Sequence, residues 1–174
     1  MEWRWEVIYI IVLTLDQATK TGYAVIKDNE LIDYGTQDFK EYKDYTERVS
    51  KIKQYLTKLI KKYNPEIISI EDIQFQNNYE TYRKLSELKG VLENLLFEKK
   101  YLFFTISPSQ WKSTCGVKGR KREEQKKNAQ LFVKKKFEID VDEDIADAIC
   151  QCWHVAVKIV PNIMIKLNMK NLLI

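Results

Sequence analysis

Histidine occurs once in the 174 residues and cysteine three times, so ligand sets built on imidazole or on paired thiols have little to draw on. Cys115, Cys150 and Cys152 are odd in number and lack the paired spacing of a zinc knuckle, which points to a reducing, intracellular setting. The apolar stretch at residues 7–15 is far short of the about 20 residues that a bilayer-spanning helix needs. The Trp3-Arg4-Trp5 start has no signal-peptide pattern, and the expectation is a soluble cytoplasmic protein without a membrane partner. Repeats and low-complexity linkers are absent as well. A net charge of +4 and a pI near 8.8 are only mildly basic, so a partner must be read from where charge clusters.

Length and apolar content suit a single α/β domain over residues 1–160, followed by a mixed apolar and basic tail at 161–174 to which no role is assigned. Residues 7–15, 22–27 and 31–39 read as an antiparallel meander, with Asp28-Asn29-Glu30 as its second turn. Residues 44–63 read as an amphipathic helix with the stripe Val49, Ile52, Leu56, Leu59 and Ile60, stopped by Asn64-Pro65. Residues 67–71 form a short apolar strand buried on both faces, and 101–106 a fifth strand. Between them a second helix, 79–97, carries Tyr82, Leu85, Leu88, Leu92, Leu95 and Leu96. Gly90 inside that helix implies close approach of another backbone, since a mid-helix glycine costs about 1 kcal/mol against alanine. Ser107-Pro108 opens a turn or short helix, residues 116–119 read as a flexible loop, and helices follow at 121–137 and 144–158.

Four acidic residues stand out against this frame. Asp16 and Glu71 each end a buried apolar strand, a costly position for a carboxylate unless a cation compensates it. Asp144 and Asp147, three apart at a helix start, share one face and reach the same point, although a solvated acidic first turn has the same pattern. Oxygen-only ligands suit a hard divalent cation. His154 lies on the same helical stripe, where it serves a partner-facing or outer role or is a plain surface histidine. Cys150 and Cys152 point in different directions and make no ligand pair.

The order and spacing of several short pieces resemble the RuvC family of Holliday junction resolvases, most closely its short phage-encoded branch. The pieces are Leu15-Asp16, Thr21-Gly22-Tyr23-Ala24-Val25, Ile70-Glu71-Asp72 with Asn78, Leu88-Lys89-Gly90-Val91-Leu92, Ser107-Pro108-Ser109-Gln110-Trp111-Lys112 and Asp144-Ile145-Ala146-Asp147-Ala148. Gln17-Ala18 replaces the family's Pro-Gly after the first aspartate, and Gln74 is inserted before Phe75. The resemblance implies a ribonuclease H-like fold: a five-stranded mixed sheet, an antiparallel meander then parallel strands, flanked by helices. It also implies that Asp16, Glu71, Asp144 and Asp147 bind two Mg²⁺ ions, with Mn²⁺ as substitute. Asp72, on the other side of a strand, is then outside the site.

By the same resemblance Lys112 and Lys126 sit near the scissile phosphate, and Phe75 matches an aromatic that wedges against bases, a position where core packing is the competing reading. Lys118, Arg120, Lys121 and Arg122 form the densest basic cluster and suit phosphate contacts, with Asn78 nearby, whereas Lys134, Lys135 and Lys136 read as a solvated helix face. The implied activity is a homodimeric endonuclease cutting four-way junctions by paired nicks, dimerising through the second helix, with Tyr79, Tyr82, Val91 and Phe97 outside its main stripe. The alternatives are a less selective nuclease on branched DNA or RNA-DNA hybrids and a catalytically silent junction binder. A nucleotide cofactor is not expected, because an actin-like ATPase needs a second domain. A haloacid-dehalogenase phosphatase would want an aspartate where Ala18 stands.

Overall fold

The computed structural model describes residues 9–75 and 77–171, with side chains as far as Ile165. Strand β1, Ile11–Asp16, pairs antiparallel with β2, Lys20–Lys27, and parallel with β4, Ile67–Glu71. The first residues of the strand expected at 7–15 lie outside the described residues, and pairing starts only at Ile11. Strand β3, Glu30–Asp38, closes the meander through Asp28 and Asn29 at φ 50° and 68°, the left-handed pair that a tight hairpin demands and that Asp and Asn tolerate. Strand β5, Phe103–Ile106, adds parallel to β4, giving the order β3-β2-β1-β4-β5. This is the mixed sheet expected from the sequence.

Helix α1, Tyr45–Tyr63, starts where the Asp44 carboxylate accepts from the Glu47 N–H at 2.8 Å and ends at Asn64 with φ 46°. With α2, Tyr79–Glu98, it covers one face of the sheet. The opposite face is covered by α3, Pro108–Cys115, α4, Arg122–Phe137, and α5, Glu143–His154. The helical run expected at 144–158 does not stop there: α5 ends at His154, but the chain stays helical. A π-helical turn, Val155–Ile159, leads directly into α6, Val160–Asn171, so most of the unassigned tail is helix. The run Glu143–Ile165 is long and apolar enough by composition to cross a membrane. In the fold its apolarity has a local cause, because Ala148, Ile149, Cys152 and Val155 are buried against the sheet.

Two local expectations are not met within the chain. A Cβ at Gly90 would meet nothing within 4 Å, so this exposed glycine answers no close contact within the chain. The segment at residues 116–119 is also not a free loop. Val117 is buried, Asn128 donates to the Lys118 carbonyl at 2.6 Å, and Gln125 donates to the Gly119 carbonyl at 2.9 Å. Side chains of α4 thus satisfy the backbone groups that a mobile loop would leave to water.

Candidate active site

Parallel strands β1 and β4 end side by side, which brings the carboxylates of Asp16 and Glu71 to one edge of the sheet. Helix α5 begins over that edge because Asp142 caps it, accepting from the Ile145 N–H at 2.9 Å. Its first turn can descend this far only because residue 22 is glycine. A Cβ there would lie 2.5 Å from the Asp144 carbonyl oxygen and 3.3 Å from the Ala148 Cβ. As a result Asp16, Glu71, Asp144 and Asp147 all line one pocket of about 420 Å³, together with Lys20, Arg122 and Lys126.

The electrostatics of the pocket are strained. Burial, then repulsion from Glu71 and Asp144, holds the Asp16 carboxyl well above its usual range. Burial lifts Glu71 to about 7, against the opposing hydrogen bond from Trp111, and burial together with Asp16 lifts Asp147 to about 7. Among the described residues, no three His, Cys, Asp or Glu side chains stand close enough together to hold one ion. Asp144 instead lies 2.8 Å from the Lys20 ammonium.

The basic and polar candidates divide. Arg122, Lys126 and Asn78 reach the pocket wall, while exposed Lys118, Arg120 and Lys121 stand outside it. Lys126 pairs with Glu143, Lys112 donates to Gln125 Oε1 at 2.9 Å just off the pocket, and Asn78 caps α2 by accepting from the Thr81 N–H at 3.0 Å. Phe75 is 63% exposed and edge-on to Tyr82 at 5.5 Å, so the core reading of this ring is wrong. Asp72 follows β4 at the pocket rim, and its carboxylate turns to Lys89 of α2 at 3.3 Å whereas that of Glu71 meets Trp111 of α3, so the two face opposite sides of the sheet as expected. His154 is neither a surface nor a DNA-facing residue. It is buried and hydrogen-bonded to Thr114 Oγ1 at 2.7 Å, with burial and Lys158 holding its pKa down. Cys150 and Cys152 do diverge, toward α4 and the sheet respectively.

Sequence reasoning gave no role to three residues that shape the site. Gln17 is buried and clamps the end of β4: its Nε2 donates to the Glu71 carbonyl at 2.6 Å, and its Oε1 accepts from the Glu71 N–H at 3.0 Å. The departure from Pro-Gly thus ties the two carboxylate-bearing strands together. The buried Trp111 donates its indole N–H to Glu71 Oε1 at 3.2 Å and fixes that side chain. Lys20, the third, opens β2 beside the pocket.

A β3-β2-β1-β4-β5 sheet with carboxylates at the ends of β1 and β4 and at the start of a helix across them defines the ribonuclease H-like class. The family model described as crossover junction endodeoxyribonuclease RuvC matches residues 12–157, and the chain belongs to the RuvC family. RuvC of Brachyspira hyodysenteriae is 29% identical over 146 residues, 80% of this chain and 89% of that protein. RuvC of Fusobacterium nucleatum is 29% identical over 149 residues, 81% and 77% of the two chains. The structure of T. thermophilus RuvC in complex with Holliday junction substrate superposes with a TM-score of 0.70 at 18% identity, covering 84% of this chain and 92% of that one. These matches bear on the family and not on its phage-encoded branch.

Proposed function

We propose that this protein is a metal-dependent, structure-selective DNA endonuclease that resolves four-way junctions by paired nicks. The observation that carries the reading is the convergence of Asp16, Glu71, Asp144 and Asp147 on one pocket in a chain of the RuvC family. The donor set fits a hard divalent cation, because it is all oxygen and because burial and mutual repulsion load it with a charge that such a cation relieves. In this reading the four carboxylates hold two Mg²⁺ ions, or Mn²⁺. Bound there, such ions would lower the pKa of an attacking water and offset charge on the leaving oxygen of a displacement at phosphorus.

The chain's own groups do the rest. Gln17 and Trp111 keep the Glu71 carboxylate aimed at the pocket. Lys112 and Lys126 stand beside it and contribute positive charge near the scissile phosphate. Lys118, Arg120, Lys121 and Arg122 take phosphates further along the strand, where backbone neutralisation supplies most of the affinity. The exposed Phe75 ring is available to stack on a base at the crossover, next to Asn78. Two copies related by a two-fold axis place one site on each of two equivalent strands. Helix α2, with exposed Tyr79 and Phe97 and the open Gly90, is the proposed contact. Residues 1–160 constitute the nuclease unit and 161–174 an appended segment, acting in the cytoplasm.

A synthetic four-way junction should be nicked in symmetric pairs with Mg²⁺ and not with EDTA, and a linear duplex of the same sequence should persist. Asp16→Asn and Glu71→Gln should stop cleavage while junction binding by gel shift survives. Mg²⁺-dependent nicking retained in both variants rejects the site, and duplex cut as fast as junction rejects the selectivity.

A further inference from the structure

We propose that Lys20 is a latch on the metal site, an internal cation that occupies Asp144 until a divalent ion displaces it. The inference rests on the four-carboxylate site proposed above. The Lys20 ammonium lies 2.8 Å from Asp144 Oδ2 and 2.9 Å from Asp142 Oδ2, bridging the two carboxylates at the start of α5. Asp142 is itself held, because its other oxygen caps the helix at the Ile145 N–H. Lys20 therefore has one fixed anchor and one exchangeable partner. When Asp144 turns to an ion, the ammonium keeps Asp142 and is not stranded.

The other pocket cations are arranged differently. Lys126 pairs with Glu143, which is outside the four carboxylates, and Arg122 has no carboxylate within 4 Å among the described residues. Lys20 alone among these three holds a carboxylate of the proposed ligand set. The bridge thereby occupies one of the four carboxylates that line the pocket. The bridge is partly exposed, at 42% for Lys20 and 29% for Asp144, so it can open without disturbing the core. Its consequence is a raised threshold: the site loads only where the ion outcompetes the lysine, and the freed ammonium is left facing the pocket mouth.

Mn²⁺ binding in the absence of DNA, read from the electron paramagnetic resonance signal of free Mn²⁺, separates the possibilities. Lys20→Met should bind Mn²⁺ about two- to fivefold more tightly than wild type, the range expected for releasing a partly exposed ion pair. Lys20→Gln is the second neutral variant should Lys20→Met fail to fold, and Lys20→Arg should match wild type. Removing any positive charge near a cation site helps binding somewhat, and Arg122→Met measures that general contribution. The latch requires Lys20→Met to exceed Arg122→Met in wild type and to lose that excess in an Asp144→Asn background. An equal effect of the two variants, or an excess that persists without Asp144, overturns the latch. If Asp16→Asn binds Mn²⁺ as wild type does, the site reading itself is wrong, whereas weakened binding in Asp16→Asn with no excess from Lys20→Met sinks the latch alone.

Discussion

The face of the sheet under α1 and α2 is closed by large aliphatic side chains: Leu13, Leu15, Ile68 and Ile70 meet Leu56, Leu59, Leu88, Leu92 and Leu96. The face under α3, α4 and α5 holds Trp111, Val133 and Ile149 as well, but where α5 lies on β1 and β2 it is small, with Ala146, Ala148 and Cys152 near Val12, Ala24 and Ile26. Large side chains bury more area and hold helices at a distance, whereas small ones give up area for close approach. The difference assigns each face a task. The aliphatic face holds the sheet together, and the small-residue face lets α5 come down onto β1 and β2 until its first turn joins Asp16 and Glu71.

Substitutions that enlarge one face and hollow the other should therefore fail in different ways. Gly22→Ala places a methyl against the Asp144 backbone and must push α5 outward, which displaces two of the four carboxylates. Misplacement by an ångström at a reacting centre costs about a hundredfold in rate, so junction cleavage should fall by about that factor or more, with most of the stability retained. Leu92→Ala, at a position with no exposed surface, should cost about 2–5 kcal/mol in urea unfolding and leave the cleavage rate of the folded fraction near wild type. The assignment of tasks breaks if Gly22→Ala cleaves normally, or if Leu92→Ala is stable and inactive.

The site face should also carry the protein's pH dependence in the absence of metal. Glu71 and Asp147 titrate near 7 in the folded chain, well above their ordinary range, with burial as the first cause in both. Because the folded state binds protons more tightly, this contribution to stability is fully present below the unfolded values and is lost as pH rises through about 7. In EDTA the melting temperature should drop between pH 5.5 and pH 8, and saturating Mg²⁺ should flatten the drop. Asp147→Asn removes one of the two groups and should reduce the slope. A melting temperature that climbs with pH in EDTA would show that these carboxylates are not electrostatically loaded.

Much of this was legible from local patterns. Strand ends, helix stripes and the four carboxylates depend on alternation, helical period and position after an apolar run, all of which a sequence displays. The misses share a different cause. Gln17 and Trp111 act on Glu71 from positions 54 and 40 residues away, and such a hydrogen bond has no local signature. His154 sits on a stripe that begins with exposed-type residues and becomes buried because α3 packs over it, which only tertiary contact decides. Gly90 has no close neighbour within the chain: a mid-helix glycine can answer a contact inside the fold or leave a surface open to one outside it. Gly22, by contrast, was visible as part of a family motif, but its reason, the Asp144 carbonyl, lies 122 residues on.

The smallest effect expected concerns the basic segment that leads into α4, at the edge of the small-residue face. Lys118, Arg120 and Lys121 are exposed and outside the pocket, yet the backbone that presents them is pinned by Asn128, Gln125 and Glu124. A pinned row of cations loses little freedom on meeting a phosphate backbone, which favours contact over mere solvation. Replacing one true phosphate contact should lower the slope of log affinity against log salt by about one unit and leave discrimination between junction and duplex unchanged. Lys134→Ala, on the solvated end of α4 and paired with Asp140 at 2.9 Å, should leave the slope as it is. Equal slopes for wild type and the Lys118→Ala, Arg120→Ala and Lys121→Ala variants would move the DNA path away from this segment and toward the pocket-lining Arg122 and Lys126 alone.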